Sequence, residues 1–131
     1  MGVNFYLLDT HVLMWWLFDD PNLSSKAKKA IMSADSRIYV SSVSGWEISI
    51  KYHLGKLPHV GPLVKELPLY LRRERFEVLP ITLEHSLAAG GLEIKHKDPF
   101  DRMLIAQARV DNLTLISNDK ILKKYHNPLL W

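Results

Sequence analysis

Four short apolar runs in this chain are each followed by a helical pattern instead of a hairpin turn, and that alternation restricts the fold more than any other feature. The runs are Asn4–Leu8, Arg37–Ser41, Phe76–Ile81 and Leu113–Ile116. The first is continuous in apolar residues, as strands buried on both faces are. Helical patterns follow over His11–Asp19, from Ser24 or Ser25 to Ala34, from Ser42 or Ser44 to His53, from Thr82 to Ala89, over Phe100–Asp111 and over Asn118–Lys124. Gly55 stops the third of these helices, and Gly90-Gly91 the fourth. Connections of this length cannot be hairpins, so the strands should run parallel with helices on both faces of the sheet.

Two regions are less regular. Residues 58–68 carry Pro58, Pro62 and Pro68 and read as irregular or as a broken helix that continues into Tyr70–Arg75. Pro80 marks the third run as an edge strand or a strand end. Leu129–Trp131 reads as a last short strand, giving an α/β chain with a sheet of four to five strands.

With 131 residues the chain suffices for one substantial core, and without cysteine two smaller cores would lack staples, so a single domain over residues 1–131 is expected. The opening apolar run lacks a basic flank and contains Asp9, unlike a signal peptide. No apolar run approaches the roughly 20 residues that span a bilayer, so a cytoplasmic, membrane-free protein is expected. The formal charge of +3 permits a polyanionic partner without requiring one.

The carboxylates then become informative. Asp9 and Asp119 each close a strand-like run, a position where an acid can also be an ordinary helix cap. Glu47 shares a helical stripe with Val43, Ile50 and Leu54, so it needs a cation or a heavy desolvation penalty follows. Lys51, four residues on, is the simplest such cation. In Asp98-Pro99-Phe100-Asp101, Asp98 has the place of an N-cap, Pro99 that of N1, and Asp101 lies at the edge of the stripe Leu104, Ile105 and Ala108. Asp9, Glu47, Asp101 and Asp119 all fall where a parallel sheet presents its carboxyl edge to ligands. Gathered acids repel unless a cation lies between them, and hard oxygen donors select Mg2+ or Mn2+. The sequence lacks CxxC and HExxH patterns, which disfavours zinc.

Four segments together resemble the PIN-domain nucleases, in particular the VapC-type toxins of type II toxin–antitoxin systems. They are Leu7-Leu8-Asp9-Thr10-His11; Trp46-Glu47-Ile48-Ser49-Ile50-Lys51 with Gly55-Lys56-Leu57; Asp98 to Ala108; and Ser117-Asn118-Asp119. The resemblance implies a PIN-like three-layer α/β/α sandwich around a mostly parallel sheet. It places the acidic quartet on Asp9, Glu47, Asp101 and Asp119, with Thr10, Ser117 and Asp98 in support. It also implies Mg2+- or Mn2+-dependent hydrolysis of RNA phosphodiesters, a VapB-like antitoxin partner and a homodimer. Lys51, Lys56, Arg102 and Lys120, with Arg72, Arg73, Arg75, Lys95 and Lys97, are candidates for gripping phosphates. The four tryptophans are expected in the core or at interfaces. Competing readings are a PIN nuclease of RNA processing or repair without an antitoxin, a non-catalytic acidic module, and, least consistent with the acid pattern, a phosphoacceptor domain.

Overall fold

The computed structural model describes residues 2–126 and 128–131. Strands β1 (Asn4–Leu8), β2 (Ser36–Ser41), β3 (Glu77–Leu79), β4 (Thr114–Ile116) and β5 (Leu129–Leu130) form one sheet, in the order β3-β2-β1-β4-β5. Every pairing is parallel. Helices α1 (Thr10–Leu17), α2 (Ser25–Met32), α3 (Ser42–His53), α4 (Gly61–Glu74), α5 (Leu83–Gly91), α6 (Pro99–Val110) and α7 (Lys120–Tyr125) make the crossovers. The chain first winds outward from β1 through β2 to β3, then returns to the other side of β1 for β4 and β5. Winding therefore reverses between β1 and β4, and a crevice opens at the carboxyl ends of those strands.

The side chains of the central strands explain the layers. Successive residues of a strand face opposite sides of the sheet. Leu8 and Ile116 enter a core with Val12, Leu13, Ala27, Ile48, Leu63 and Leu71, from α1 to α4. Leu7 and Leu115 enter a second core with Val43, Leu104 and Ala108, closed by α6. The central strand is apolar on both faces because both are covered. No helix among the described residues is long and apolar enough to cross a membrane.

Local signals acted largely where expected. The Ser24 side chain accepts the Ala27 N–H to start α2, and Gly55 takes φ 77° just past α3. α3 is capped by Ser41, the last residue of β2, one position before the first expected candidate. The proline-rich stretch forms a 3₁₀ turn, Pro58–Val60, followed by α4, which is kinked at Glu66 (φ −132°, ψ 26°). Pro68, inside this helix, has no N–H to bond the preceding turn, so the helix bends instead of ending. β3 stops at Leu79, before Pro80, on an edge of the sheet.

α7 is tied back by His126, whose Nε2 bonds the Leu113 carbonyl at 3.1 Å across a buried contact. Burial lowers its pKa below the ordinary 6.5, since the neutral ring is favoured in this setting. The unfolded chain therefore takes up this proton first as pH falls. Stability tied to His126 is present above the ordinary value and is lost as pH drops through it towards the lowered one. Thermal midpoints should fall between pH about 7.5 and about 5.5 less steeply in His126→Gln than in the parent; equal slopes would refute the assignment.

Candidate active site

Asp9 is the first residue beyond β1 and occupies the N-cap position of α1, yet its carboxylate makes no capping hydrogen bond. It is only 6% exposed. Its Oδ2 accepts from Ser117 Oγ at 2.7 Å, and the same Oγ accepts from the Asp119 N–H at 2.9 Å. One fully buried hydroxyl thus ties the end of β1 to the segment that follows β4. Burial pushes the Asp9 carboxyl up from its usual range, the Ser117 bond opposes this, and the charge of Glu47 adds to it. His11 opposes the rise as well, through its charge and its backbone N–H.

The other acids divide by what their oxygens do. Asp119 caps α7: its Oδ1 accepts from the Ile121 and Leu122 N–H groups. Asp98 caps α6 in the same way through Phe100 and Asp101. Glu47, also 6% exposed, is bound at Oε2 by Lys51 Nζ. Its helix is fixed to α1 by a buried Thr10 Oγ1–Ser44 Oγ bond of 2.8 Å, one turn before Glu47. Asp101 makes no cap and accepts at Oδ2 from His96 Nε2 at 2.7 Å. Burial, joined by repulsion from Asp98, Asp9 and Asp119, raises Asp101 to about 6 against the pull of His96.

These repulsions place Asp9 within electrostatic reach of Glu47, and Asp101 within reach of both Asp9 and Asp119. In each of the four acids the hydrogen bonds fall on a single oxygen. Among the described residues no group of three or more His, Asp or Glu side chains is arranged to hold a metal ion. The donor set nonetheless fits a hard divalent cation: it is all carboxylate oxygen, partly buried, and destabilised by its own like charges. A cleft of about 240 Å³ lined by Asp9, His11, Trp15, Asn118 and Asp119 opens here. A larger concavity beyond the C-terminus of α1 also gathers acids, Asp19, Asp20 and Glu74, with Asp19 paired to Lys28, whereas one lined by Arg109, Tyr125 and Pro128 has none.

The expected phosphate contacts sort differently. Lys120 is exposed and adjoins Asp119, and Lys95 and Lys97 are exposed on the segment before Asp98. Lys51 is engaged by Glu47. Lys56 lies beyond the C-terminus of α3, about 18 Å along the axis from the sheet edge where that helix starts. Arg72, Arg73 and Arg75 lead into the amino end of β3, at the opposite edge from the acids. The Arg102 guanidinium is not free for phosphate, because backbone carbonyls take its N–H groups. Trp15, Trp16 and Trp131 pack on the first core as expected, whereas Trp46 is 56% exposed with its ring edge-on to Phe100. His96 had no signal in the sequence beyond its position five residues before Asp101; scattered histidines carry no spacing, and only the fold sets this one on a carboxylate.

A profile of the PIN domain family matches residues 6–127. Ribonuclease VapC22 of Mycobacterium tuberculosis (strain ATCC 25618 / H37Rv) is 26% identical over 125 residues, covering 93% of this chain and 92% of that protein. Two solved structures have a similar fold. One is VapBC2 from Rickettsia felis bound to a DNA fragment from its promoter (TM-score 0.63, 18% identity, 97% of this chain and 99% of that one). The other is a toxin–antitoxin complex from Klebsiella pneumoniae (TM-score 0.66, 19% identity, 95% and 94%).

Two outcomes follow from the geometry. Ser117→Ala leaves the buried Asp9 carboxylate without its donor and should lower unfolding free energy by about 1–3 kcal/mol at neutral pH, read by denaturant titration. For Asp101, the folded value of about 6 lies above the ordinary 3.8, so the folded state binds this proton more tightly. The associated stability is full below the ordinary value and is lost as pH rises through the folded one. Asp101→Asn should therefore melt above the parent at pH about 7.5 in chelator, with the margin closing towards pH about 4. A variant less stable at both values would contradict the repulsion.

Proposed function

The chain belongs to the PIN domain family, and from that premise we propose that it is a Mg2+- or Mn2+-dependent endoribonuclease acting as the toxin of a VapBC-type module. The observation that supports this reading is Asp9: a buried carboxylate at a cap position that makes no capping hydrogen bond, feels the charges of Glu47 and Asp101, and shares the Ser117 hydroxyl with the Asp119 amide. A merely structural acid at that position would bond its own helix. The named ribonuclease relative and the toxin–antitoxin complexes of like fold support the same reading.

Asp9, Glu47, Asp101 and Asp119 would hold the cation. When bound, the ion supplies Lewis acidity for water attack on a phosphodiester. The chain's own residues prepare the rest. Ser117 fixes one oxygen of Asp9 and, through the Asp119 amide, the entry to α7. Thr10 and Ser44 hold the helix of Glu47 against the first turn of α1. Lys51 balances Glu47 until a cation competes for that carboxylate. Lys95, Lys97 and Lys120 line the approach with positive charge that offsets the acidic centre for a polyanion. Asp98 is structural, starting α6 so that Asp101 at its third position is left free of the cap.

The partners follow from the same premise. Exposed apolar side chains on α3 and its C-cap (Trp46, Ile50, Leu54) and on α5 (Leu83, Leu87) offer faces for a VapB-like antitoxin and for a second copy of this chain.

Asp9→Asn and Asp101→Asn should each reduce RNA cleavage to the level seen in chelator and relieve growth arrest on expression. Millimolar Mg2+ or Mn2+ should raise the melting temperature of the parent and not of Asp9→Asn, because a cation that binds only the folded state stabilises it by mass action. Full cleavage by either variant would remove these residues from the site.

A further inference from the structure

The segment between α5 and α6, residues 92–98, has no helix or strand of its own, yet it delivers His96 to Asp101. What holds it is Arg102. Its Nε donates to Ala89 O at 3.1 Å, and Nη2 donates to Ala89 O at 2.8 Å, Leu92 O at 3.0 Å and Gly90 O at 3.4 Å. Nη1 donates to His96 O at 3.0 Å and Ile94 O at 3.3 Å. All three nitrogens of the fork are thereby committed to backbone oxygen. Ala89 and Gly90 belong to the last turn of α5, whose carbonyls lack helical partners and favour a cation. Leu92, Ile94 and His96 are alternate residues, so in an extended chain their carbonyls fall on one side.

His96 is consequently held at two points: its carbonyl by Arg102, and its ring nitrogen by Asp101. Arg102 follows Asp101 directly on α6, so the guanidinium and the carboxylate grip one residue from neighbouring positions of a rigid helix. We infer that Arg102 is a positioning residue of the candidate site, folding the 89–96 backbone around its guanidinium so that His96 fixes the orientation of the Asp101 carboxylate. The role rests on the nuclease reading for its catalytic consequence and on the hydrogen bonds alone for its structural one. Lysine cannot replace it: an ammonium keeps the charge but lacks a planar fork able to serve five carbonyl groups.

The test uses Arg102→Lys, Arg102→Ala, His96→Ala and the double variant His96→Ala/Arg102→Lys. For Arg102→Lys, kcat on a short RNA with Mg2+ should fall roughly 10- to 100-fold, as for other groups that orient a ligating side chain. KM and its salt dependence should stay unchanged. Adding His96→Ala to Arg102→Lys should lower kcat no further, since both act along one path. Two readouts do not need cleavage. The His96 ring signals in NMR should move in Arg102→Lys to where Asp101→Asn places them, and trypsin should cut faster after Lys95 and Lys97.

A higher KM with the salt slope reduced by about one in Arg102→Ala would make Arg102 a phosphate contact and overturn the inference. So would additive losses in the double variant, or unmoved His96 signals in Arg102→Lys. Should Arg102→Ala not fold, Arg102→Lys carries the decision. If the parent protein cleaves no RNA with either metal, the nuclease reading fails, while the ring signals and the trypsin rates still decide whether Arg102 places His96.

Discussion

A carboxylate almost sealed from water at the end of the central strand is the constraint on which this structure turns. A lone buried charge is among the costliest features a fold can carry. Asp9 is tolerated because Ser117, fully buried and arriving from the neighbouring strand, gives it a short hydrogen bond. That bond works only if β1 and β4 are adjacent, parallel and in register, with Leu8 opposite Ile116. The sheet order, the reversal of winding and the meeting of Asp9 with Asp119 are thus aspects of one arrangement.

The four acids are restrained without being neutralised alike. Lys51 faces Glu47, His96 faces Asp101, Ser117 faces Asp9, and the first turn of α7 faces Asp119. Each restraint engages one oxygen and leaves the other without a hydrogen bond. The carboxyls of Asp9 and Asp101 are raised first by burial and then by neighbouring acids: the charges are held drier, and nearer each other, than stability alone favours. The surrounding fold meets that sacrifice with two apolar cores, one on each face of the sheet.

Around this centre, helix caps are divided from chemistry by single residues. Asp98 and Asp101 stand three positions apart on one helix start; the first satisfies the helix amides, and the second is thereby left available. Arg102, one residue further, turns its charge away from any polyanion and into the carbonyls of the preceding segment. Neighbouring residues of a helix point about 100° apart, so adjacent positions can serve unrelated tasks.

The sequence by itself determined the α/β alternation, the parallel sheet and the edge strand before Pro80. It could do so because hydrophobic period, turn residues and caps are written over a few neighbouring positions. The kink that keeps α4 continuous through Pro68, the capping of α3 by Ser41, the separation of Arg72, Arg73 and Arg75 from the acids, the exposure of Trp46 and the contact of His96 with Asp101 were decided only by the tertiary structure. Asp9 and Asp119 look alike in sequence, each closing a strand, yet one is a buried acceptor and the other a cap. Their difference lies in what the second strand brings beside the first, a contact spanning 108 residues that no local pattern encodes.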